Sequence, residues 1–440
     1  MTNNQPVSID NYKGVRDFYP DELKRRRYIE DVMHVTLRQF GYEEIDASII
    51  EPAELYDAKS GDELAREQSY RFEDRGGRDV MLRPEMTPSV ARMLARRQKS
   101  LPTPVRWYSV ANVFRYEQPQ KGRLREHWQL NADIFGINNL LAELEIISIT
   151  HKLLQNFGAA EDDFIIKISS RALFNAFASD VLGISDTDKR VLATLIDKKN
   201  KLDPDSFSEA VADILNTEQV DKLMTYLSIG DVASLRETFS ELTESANELE
   251  KLQNELLERG IGNAIFEPSL IRGLAYYTGV VFEIFDTSPE NNRSLFGGGR
   301  YNNLLDMFAV ESSPAVGFGA GDVTIADFLD AHKLWPEFLS DIDVDICLLD
   351  SEKHATFAYQ IADDIQELGL TTRVNISGTA VGTQLSRADN DGALFVIVVG
   401  DNEVESGDVT IKELATGEET TVKKAEVVDF FTTTDDEETE

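Results

Sequence analysis

The chain has 440 residues, of which 42% are apolar, and a single cysteine, Cys347. This length predicts about two or three domains, and the lone cysteine excludes an internal disulfide framework and a cysteine-based zinc site. The net charge of -35 argues against bulk attraction to polyanions, because affinity for phosphate backbones comes from Lys and Arg. No apolar run suits a transmembrane helix and no secretory pattern opens the sequence, so we expect no membrane association and a cytoplasmic location.

The first 160 residues alternate between helix and strand patterns. Apolar spacing, Gly and Pro positions and Asn caps predict these elements. In chain order they are a helix from Pro20 to Gly41, a strand ("YEEIDASIIEP") ending at Pro52, a hairpin turning at Gly76-Gly77, a helix from Thr87 to about Ser100, strands in "VRWYSVANVFRYEQ" and "REHWQLNADIFG" around the loop "PQKGRL", and a helix capped by Asn138 and Asn139 that ends near Gly158.

The rest of the chain changes character twice. Short polar helices predict an inserted module, strands then return, and the last hundred residues alternate strand and helix as in a small α/β domain. The predicted fold is α+β, with an antiparallel sheet flanked by helices. The predicted parts are a catalytic domain at 1–170 and 261–332, a helical insertion at 171–260, an α/β domain at 341–430 and a disordered acidic tail at 431–440.

Polar residues interrupt two apolar strands in "FRYEQPQKGRLREHWQLNADIFG" (114–136). Arg115, Glu117, Gln129 and Asp133 lie on or beside these strands, and burying such groups without partners is costly. We therefore expect them to face a cleft. The alternative is an exposed hairpin with ordinary ion pairs.

Two further stretches combine charge with apolar surroundings. In "LRPEMTP", Arg83, Glu85 and Thr87 lie where a strand passes into a helix, so Thr87 is either a binding residue or a helix cap. In "SLIRGLAYYTG", Arg272 precedes two tyrosines. Its alternative interpretation is a paired core arginine beside packing aromatic rings.

In this order the motifs resemble those of the histidyl-tRNA synthetase family of class II aminoacyl-tRNA synthetases. The resemblance runs from "GVRDFYPDE" through "LRPEMTP", "FRYEQPQKGRLREHWQ", "RGLAYYTG" and "GGGRY" to the C-terminal α/β domain. It implies that histidine is activated with ATP and Mg²⁺ to histidyl-adenylate and then transferred to tRNA(His). It also implies a homodimer formed through "GYEEIDASIIEP".

The resemblance assigns roles to individual positions. Arg115 and Arg272 match catalytic arginines on the α-phosphate, which suits a guanidinium because its fork binds two phosphate oxygens. The remaining positions form three sets. The residues implied to bind ATP are Arg115, Glu117, Arg123 and Arg272. The residues implied to bind histidine are Glu85, Met86, Thr87, Gln129, Asp133, Tyr276 and Tyr277. The loop implied to contact the tRNA acceptor stem contains Gln120, Lys121 and Arg123. No metal ligand is assigned to a protein side chain.

Three departures from the family pattern are visible. Ala275 replaces the acid of "RGLDYY", and Thr324 takes the place of an arginine that contacts adenine and the γ-phosphate, so Arg123 or Arg300 is expected to contribute instead. Residues 341–440 carry 6 Lys/Arg against 24 Asp/Glu, a difference of -18 (6 − 24), although such a domain is expected to touch the anticodon. A surface adapted to high intracellular salt would explain this acidity without a change of function.

These departures keep two alternative functions open. One is a non-charging, synthetase-like regulatory subunit of ATP phosphoribosyltransferase in histidine biosynthesis, a class that typically lacks the C-terminal anticodon domain. The other is a histidine ligase that does not use tRNA.

Overall fold

The computed structural model describes residues 7–57, 68–199, 203–271, 277–291 and 293–435. The chain divides into two compact units, Met1–Trp335 and Pro336–Glu440. A search of the described ranges finds no helix with the length and apolar character needed to span a bilayer.

The first unit alternates helices and strands around one large sheet. Its helices are α1 (Pro20–Gln39), α2 (Glu54–Asp57), α3 (Thr87–Arg97), α4 (Leu141–Asn156), α5 (Arg171–Ala176), α6 (Asp186–Lys198), α7 (Pro204–Ala212), α8 (Thr217–Ser228), α9 (Val232–Thr238), α10 (Thr243–Glu258) and α11 (Asp322–His332). Its strands are β1 (Glu43–Glu44), β2 (Ile50–Pro52), β3 (Tyr70–Glu73), β4 (Asp79–Leu82), β5 (Val105–Phe114), β6 (Glu126–Phe135), β7 (Phe164–Ser170), β8 (Ala264–Phe266), β9 (Val280–Asp286), β10 (Ser294–Arg300) and β11 (Ala315–Gly321).

Eight of these strands form the large sheet, in the order β1-β5-β6-β11-β10-β9-β7-β8. Its neighbours pair antiparallel, except that β1 with β5 and β7 with β8 are parallel. The pairing of β5 with β6 includes all ten residues of each strand. The predicted α+β fold, a largely antiparallel sheet flanked by helices, is therefore confirmed.

The two faces of the large sheet bury different side chains, because successive residues of a strand point to opposite faces. Leu130 and Ile134 of β6 belong to the larger hydrophobic core, which includes residues of α1 and α4. Trp107 and Phe135 belong to a second core on the other face, with residues of α3. The polar groups of the candidate site lie on this second face.

Among the described residues, six helices, α5–α10, lie between β7 and β8, where the sequence predicts an inserted helical module. Several of them begin at a polar side chain that accepts a backbone N–H of the first turn, which stabilises each start locally. These caps are Ser170, Ser185, Asp203, Asn216 and Asp231.

The prediction that "YEEIDASIIEP" forms a single strand is wrong. The segment forms two short strands that join different sheets: β1 pairs with β5 of the large sheet, and β2 pairs with β4 in the three-stranded sheet β2-β4-β3. Arg83 stabilises the passage between them, because its guanidinium donates to Asp46 Oδ1 (3.1 Å) and to the carbonyl oxygens of Ala47 (2.7 Å) and Asn112 (2.8 Å). A local alternation pattern does not reveal that a strand changes sheets midway.

The second unit has a five-stranded sheet in the order β13-β12-β14-β15-β16. Its strands are β12 (Val344–Leu348), β13 (Thr372–Val374), β14 (Phe395–Val399), β15 (Asp408–Glu413) and β16 (Glu419–Lys423), and its helices are α12 (Ala355–Gln366), α13 (Val381–Asn390), α14 (Asp401–Ser406) and α15 (Val427–Asp435). The predicted start of a disordered tail at 431 is wrong for residues 431–435, which are helical. Phe431 is buried in the hydrophobic core of this unit, and residues 436–440 lie outside the described ranges.

Candidate active site

A glycine-rich floor lies at the centre of the large sheet, where β10 and β11 pair. Gly299 is opposite Gly317, and Gly297 is opposite Gly319. A Cβ atom at Gly317 would overlap the Asp133 carboxylate and lie 2.8 Å from the carbonyl oxygen of Ala132. These glycines therefore leave room for polar side chains of the neighbouring strand.

Those polar side chains are Gln129, Asn131 and Asp133, which alternate along β6 and share the face of Gly317 and Gly319. Asn131 and Asp133 are 5% and 3% exposed. A Cβ atom at Gly319 would overlap the Gln129 carboxamide and lie 3.3 Å from Asn131 Nδ2. The alternative of an exposed hairpin does not describe this strand, because Asn131 and Asp133 are buried and Gln129 is half-buried on the sheet.

Asp133 accepts a hydrogen bond from the hydroxyl of Tyr301, the residue that follows β10. Burial raises the pKa of Asp133 to about 7, and the negative charge of Glu85 adds to this, while the hydrogen bond from Tyr301 opposes it. Tyr301 is not among the site residues predicted from the sequence. Its place directly after the glycine run "GGGR" is the signal that identifies it.

Glu85, Met86 and Thr87 form the passage from β4 into α3, and all three are buried. Tyr56 supports this turn by donating its hydroxyl to the Glu85 carbonyl oxygen at 3.0 Å. The helix begins at Thr87 and its N-cap is Met86, so Thr87 lies within the first turn and is not the capping residue. The negative charge of Glu85 contributes to the raised pKa of Asp133.

Arg115 directly follows β5 and turns towards the same passage. Its Nε donates to the Pro84 carbonyl oxygen at 3.0 Å, and its backbone N–H donates to the Arg125 carbonyl oxygen at 2.8 Å. The guanidinium of Arg115 therefore lies beside the Glu85 turn, although 30 residues separate the two in sequence. The positive charge of Arg115 contributes, after burial, to holding the pKa of His127 at about 3.

The loop from Arg115 to Arg125 carries the other predicted ATP and tRNA residues. Arg123 Nη1 lies 3.2 Å from Glu117 Oε2, and the Arg123 side chain is half exposed. Gln120 and Lys121 contact the segment before β10: Lys121 Nζ donates to the Glu290 carbonyl oxygen, and Arg293 donates to Gln120 Oε1. The loop is thus held at both its base and its tip.

Residues 12–18, here called the N-terminal strap, anchor this loop from outside. The Gly14 carbonyl oxygen accepts the backbone N–H of Arg125 at 2.8 Å, and the Arg125 guanidinium donates to the Tyr12 hydroxyl at 2.8 Å. Arg16 forms a 2.7 Å ion pair with Asp322 at the start of α11, and Asp322 also accepts the backbone N–H of Trp128. These residues are not predicted from the sequence, because no local pattern links positions 306 residues apart.

Tyr277 is buried, and its ring lies 3.0 Å from a Cβ atom placed at Gly299, so it adjoins the glycine floor. Arg272, Ala275 and Tyr276 lie outside the described residues. The roles that the sequence suggests for them stay predictions.

The structure does not support a role for Arg300 in binding ATP. Its guanidinium is buried in a two-point ion pair with Glu143 (2.5 and 2.6 Å), and it also donates to the carbonyl oxygens of Ile137 and Asn139. Arg300 alternates with Gly299 and therefore points to the opposite face of the sheet. The Thr324 hydroxyl donates to the Leu295 carbonyl oxygen at 2.7 Å, a contact that connects α11 to β10.

Comparisons with known proteins agree with this architecture. Residues 14–322 match the family described as Histidyl-tRNA synthetase, and residues 343–434 match an Anticodon binding domain. The chain is 41% identical to a Histidine--tRNA ligase of Leptospira biflexa over 96% of this chain and 97% of that protein. It is 36% identical to a Histidine--tRNA ligase of Haloarcula marismortui over 94% and 95%.

Solved structures show the same fold. An ATP phosphoribosyltransferase regulatory subunit/histidyl-tRNA synthetase from Bacillus halodurans superposes with a TM-score of 0.75 at 25% identity, covering 90% of this chain and 99% of the other. A histidyl-tRNA synthetase from Nostoc gives a TM-score of 0.77 at 22% identity, covering 96% and 99%. With a family match across residues 14–322 and relatives that align over nearly their whole length, this chain belongs to the histidyl-tRNA synthetase family.

Proposed function

We propose that the protein activates L-histidine with ATP and transfers the histidyl group to tRNA(His). The observation that carries this proposal is a set of polar groups on one face of the sheet, with Asp133 buried and Gln129 half-buried, near the turn that holds Glu85. Arg115 contacts the same turn, because its Nε donates to the Pro84 carbonyl oxygen. Family membership supplies the reaction, and the pocket supplies groups suited to histidine.

The first step needs alignment and charge neutralisation rather than a protein nucleophile. The histidine carboxylate attacks the α-phosphorus of ATP, a new C–O–P linkage forms, and pyrophosphate leaves with the electrons of the broken P–O bond. Arg115 is proposed to bind the α-phosphate oxygens, because a guanidinium remains charged and makes two parallel hydrogen bonds to an oxyanion. Arg272 is proposed as the second such arginine on the strength of its motif alone.

The pocket is proposed to select histidine through its acceptors. The pKa of Asp133, about 7, is close to the ordinary pKa of imidazole. The Asp133 carboxyl group and the histidine ring can therefore share a proton at neutral pH. Glu85 and Thr87 are proposed to bind the α-amino group, with Gln129 beside them and Met86 in the same turn. Tyr277 is proposed to hold the imidazole ring together with Asp133, and Tyr276 is proposed as a wall of the pocket on the strength of its motif alone. Buried polar partners left unpaired by an apolar amino acid would discriminate against it strongly.

Glu117 and Arg123 are proposed to complete ATP binding beside Arg115, since they form an ion pair on the loop that begins there. Among the described residues, no cluster of three His, Cys, Asp or Glu side chains could hold a metal ion. We propose that Mg²⁺ binds together with ATP, since this cation is usually held by substrate phosphates, water and one or two carboxylates.

The tRNA is proposed to contact two separate regions. Gln120, Lys121 and Arg123 suit the acceptor end, and residues 343–434 match an anticodon-binding domain. We also propose a homodimer through residues 41–52 and a cytoplasmic location, where tRNA and ATP are available. Strong net negative charge makes this RNA binding dependent on local cations, so its salt dependence should be set by the few phosphates that those cations neutralise.

The regulatory-subunit alternative has one observation in its favour, the similarity to the Bacillus halodurans protein named as an ATP phosphoribosyltransferase regulatory subunit/histidyl-tRNA synthetase. The curated relatives at 34–41% identity are described as Histidine--tRNA ligases, and the anticodon-binding match extends over the second unit. Charging is therefore the better-supported function.

Two assays test the proposal. Wild-type protein should catalyse histidine-dependent exchange of pyrophosphate into ATP and charge tRNA(His) with labelled histidine. Arg115→Ala should lower the exchange rate by orders of magnitude, whereas Arg75→Ala, in the exposed turn after β3, is the matched control. Exchange without charging would indicate a tRNA-independent ligase, and histidine binding with neither activity would indicate a regulatory subunit.

A further inference from the structure

Arg293, an exposed residue just before β10, has no role in the function proposed above. Its guanidinium reaches across to the loop between β5 and β6, where Nη2 donates to Gln120 Oε1 at 3.1 Å and Nη1 donates to the Lys121 carbonyl oxygen at 3.4 Å. Both acceptors are neutral groups. These contacts therefore place the charge of Arg293 at the tip of that loop without neutralising it.

The loop tip and residues 287–291, here called the β9 turn, are bonded to each other in both directions. Lys121 Nζ donates to the Glu290 carbonyl oxygen at 3.2 Å, and Arg293 returns two hydrogen bonds from the other side. Lys121 and Arg293 therefore lie side by side on one surface, although 172 positions separate them in sequence. The sequence expectation for the acceptor stem included Lys121 but not Arg293.

A buried carboxylate holds the β9 turn in place. The Asp286 side chain is fully buried; it accepts the backbone N–H of Ser288 at 2.8 Å and Asn291 Nδ2 at 3.0 Å, and it lies 2.7 Å from His332 Nε2 at the end of α11. The turn is thus attached to the body of the first unit. A surface held in this way is ordered before a ligand arrives, which reduces the entropy lost on binding.

The cations around the loop tip differ in how far acids offset them. Arg123 forms an ion pair with Glu117 at 3.2 Å, and Lys121 lowers the pKa of Asp327, which burial raises. Among the described residues, no carboxylate forms an ion pair with Arg293. An exposed guanidinium without an acidic partner can bind a phosphate, since its fork makes two parallel hydrogen bonds to the phosphate oxygens.

We propose that Arg293 binds a backbone phosphate at the acceptor end of the tRNA, beside the contacts proposed for Gln120 and Lys121. The inference rests on the proposed function and deepens it, because it extends the tRNA site from one loop to the segment before β10. The phosphate is assigned to RNA rather than to ATP because Arg293 contacts the tip of the loop. Arg115, proposed for the α-phosphate of ATP, lies at its base beside Pro84.

The test measures two reactions of the full-length protein: charging with tRNA(His) varied, and pyrophosphate exchange with ATP and histidine varied. Arg293→Ala should lower kcat/KM for tRNA by about 10- to 100-fold, as expected for a lost hydrogen bond to a charged group. It should leave both KM values of the exchange reaction unchanged. The plot of log kcat/KM for tRNA against log salt concentration should become shallower by about one unit of slope, because one phosphate fewer is neutralised.

Two conservative variants separate the charge of Arg293 from its support of the loop. Arg293→Gln keeps an N–H donor for the loop but removes the charge, so it should behave like Arg293→Ala. Arg293→Lys keeps the charge, so it should retain the wild-type salt slope and recover most of the efficiency with tRNA. Arg75→Ala, which removes an exposed cation from the turn after β3, is the matched control and should change neither quantity.

Each outcome decides the question. Lower efficiency with tRNA and a shallower salt slope in the alanine and glutamine variants support the inference. Wild-type behaviour of Arg293→Gln would overturn it, because support of the loop would then be the whole role. A raised KM for ATP in the exchange reaction would also overturn it, because the phosphate would then belong to ATP.

Failure of the inference and failure of the proposed function give different results. If wild-type protein does not charge tRNA(His), the proposed function is wrong, and the role of Arg293 is wrong with it. If wild-type protein and Arg75→Ala charge tRNA(His) and the Arg293 variants do so equally well, the role of Arg293 alone is wrong.

Discussion

Replacing Gly317 by alanine should separate histidine recognition from the rest of the reaction. The added Cβ atom would overlap the Asp133 carboxylate and approach the carbonyl oxygen of Ala132 at 2.8 Å. The backbone of β6 is held by β5 on its other side, so the Asp133 side chain is the part that can move. It would have to leave its hydrogen bond with Tyr301.

The size of the effect follows from these two contacts. A lost hydrogen bond to a charged group costs about 1.5–3 kcal/mol, which corresponds to a 10- to 100-fold higher KM for histidine. Overpacking a well-filled site adds a cost of about 1–3 kcal/mol in the free energy of unfolding. The KM for ATP should change much less, because Arg115 and its loop do not touch Gly317.

Pyrophosphate exchange with varied histidine and then varied ATP measures both KM values, and urea unfolding measures stability. Gly321→Ala is the matched control on the same strand, because a Cβ there would meet its nearest neighbour, His127 Cδ2, at an ordinary 3.7 Å. A Gly317→Ala protein with wild-type KM for histidine would refute the assignment of Asp133 to the histidine pocket.

Three further outcomes are expected. Asp133 has a pKa of about 7 in the folded protein and 3.8 in the unfolded chain, so the folded state binds more protons between these values. The free energy of unfolding should therefore fall as pH rises from about 4 to 7. Urea unfolding at several pH values should show a flatter dependence for Asp133→Asn. Arg300→Met leaves the Glu143 carboxylate buried without its partner and should lower the free energy of unfolding by about 3–5 kcal/mol. The double variant Arg300→Met, Glu143→Leu should lose less stability than the single variant. Burial and nearby arginines lower the pKa of His127 to about 3. NMR should therefore show no titration of its ring protons between pH 5 and 8. A titration near pH 6.5 would contradict a neutral His127 ring.

Local patterns in the sequence were enough to predict much of the fold. The alternation in β5 and β6 and the helical spacing in α1 are properties of neighbouring residues, and the strands and helix appear where these patterns predict them. The change of sheet between β1 and β2 was not predictable in this way, because it depends on Arg83 reaching back to Asp46 and Ala47.

The candidate site was predictable where a charged residue interrupts an apolar strand, as with Asp133. It was not predictable where a residue acts through a distant partner. Tyr301 reaches Asp133 across 168 positions, and Arg16 reaches Asp322 across 306. Arg300 shows the opposite error: its charge suggested ATP, yet strand alternation turns it towards Glu143 on the far face of the sheet.

The strand order of the large sheet has a consequence for how the protein folds during its synthesis. β11, the last strand of that sheet to leave the ribosome, lies between β6 and β10. Until residues 315–321 are made, the sheet exists only as two halves, each with an open edge that can pair with another chain. The glycines of β11 complete the pocket in the same step that closes these edges. A nascent chain that stalls before β11 would therefore be both inactive and prone to aggregate.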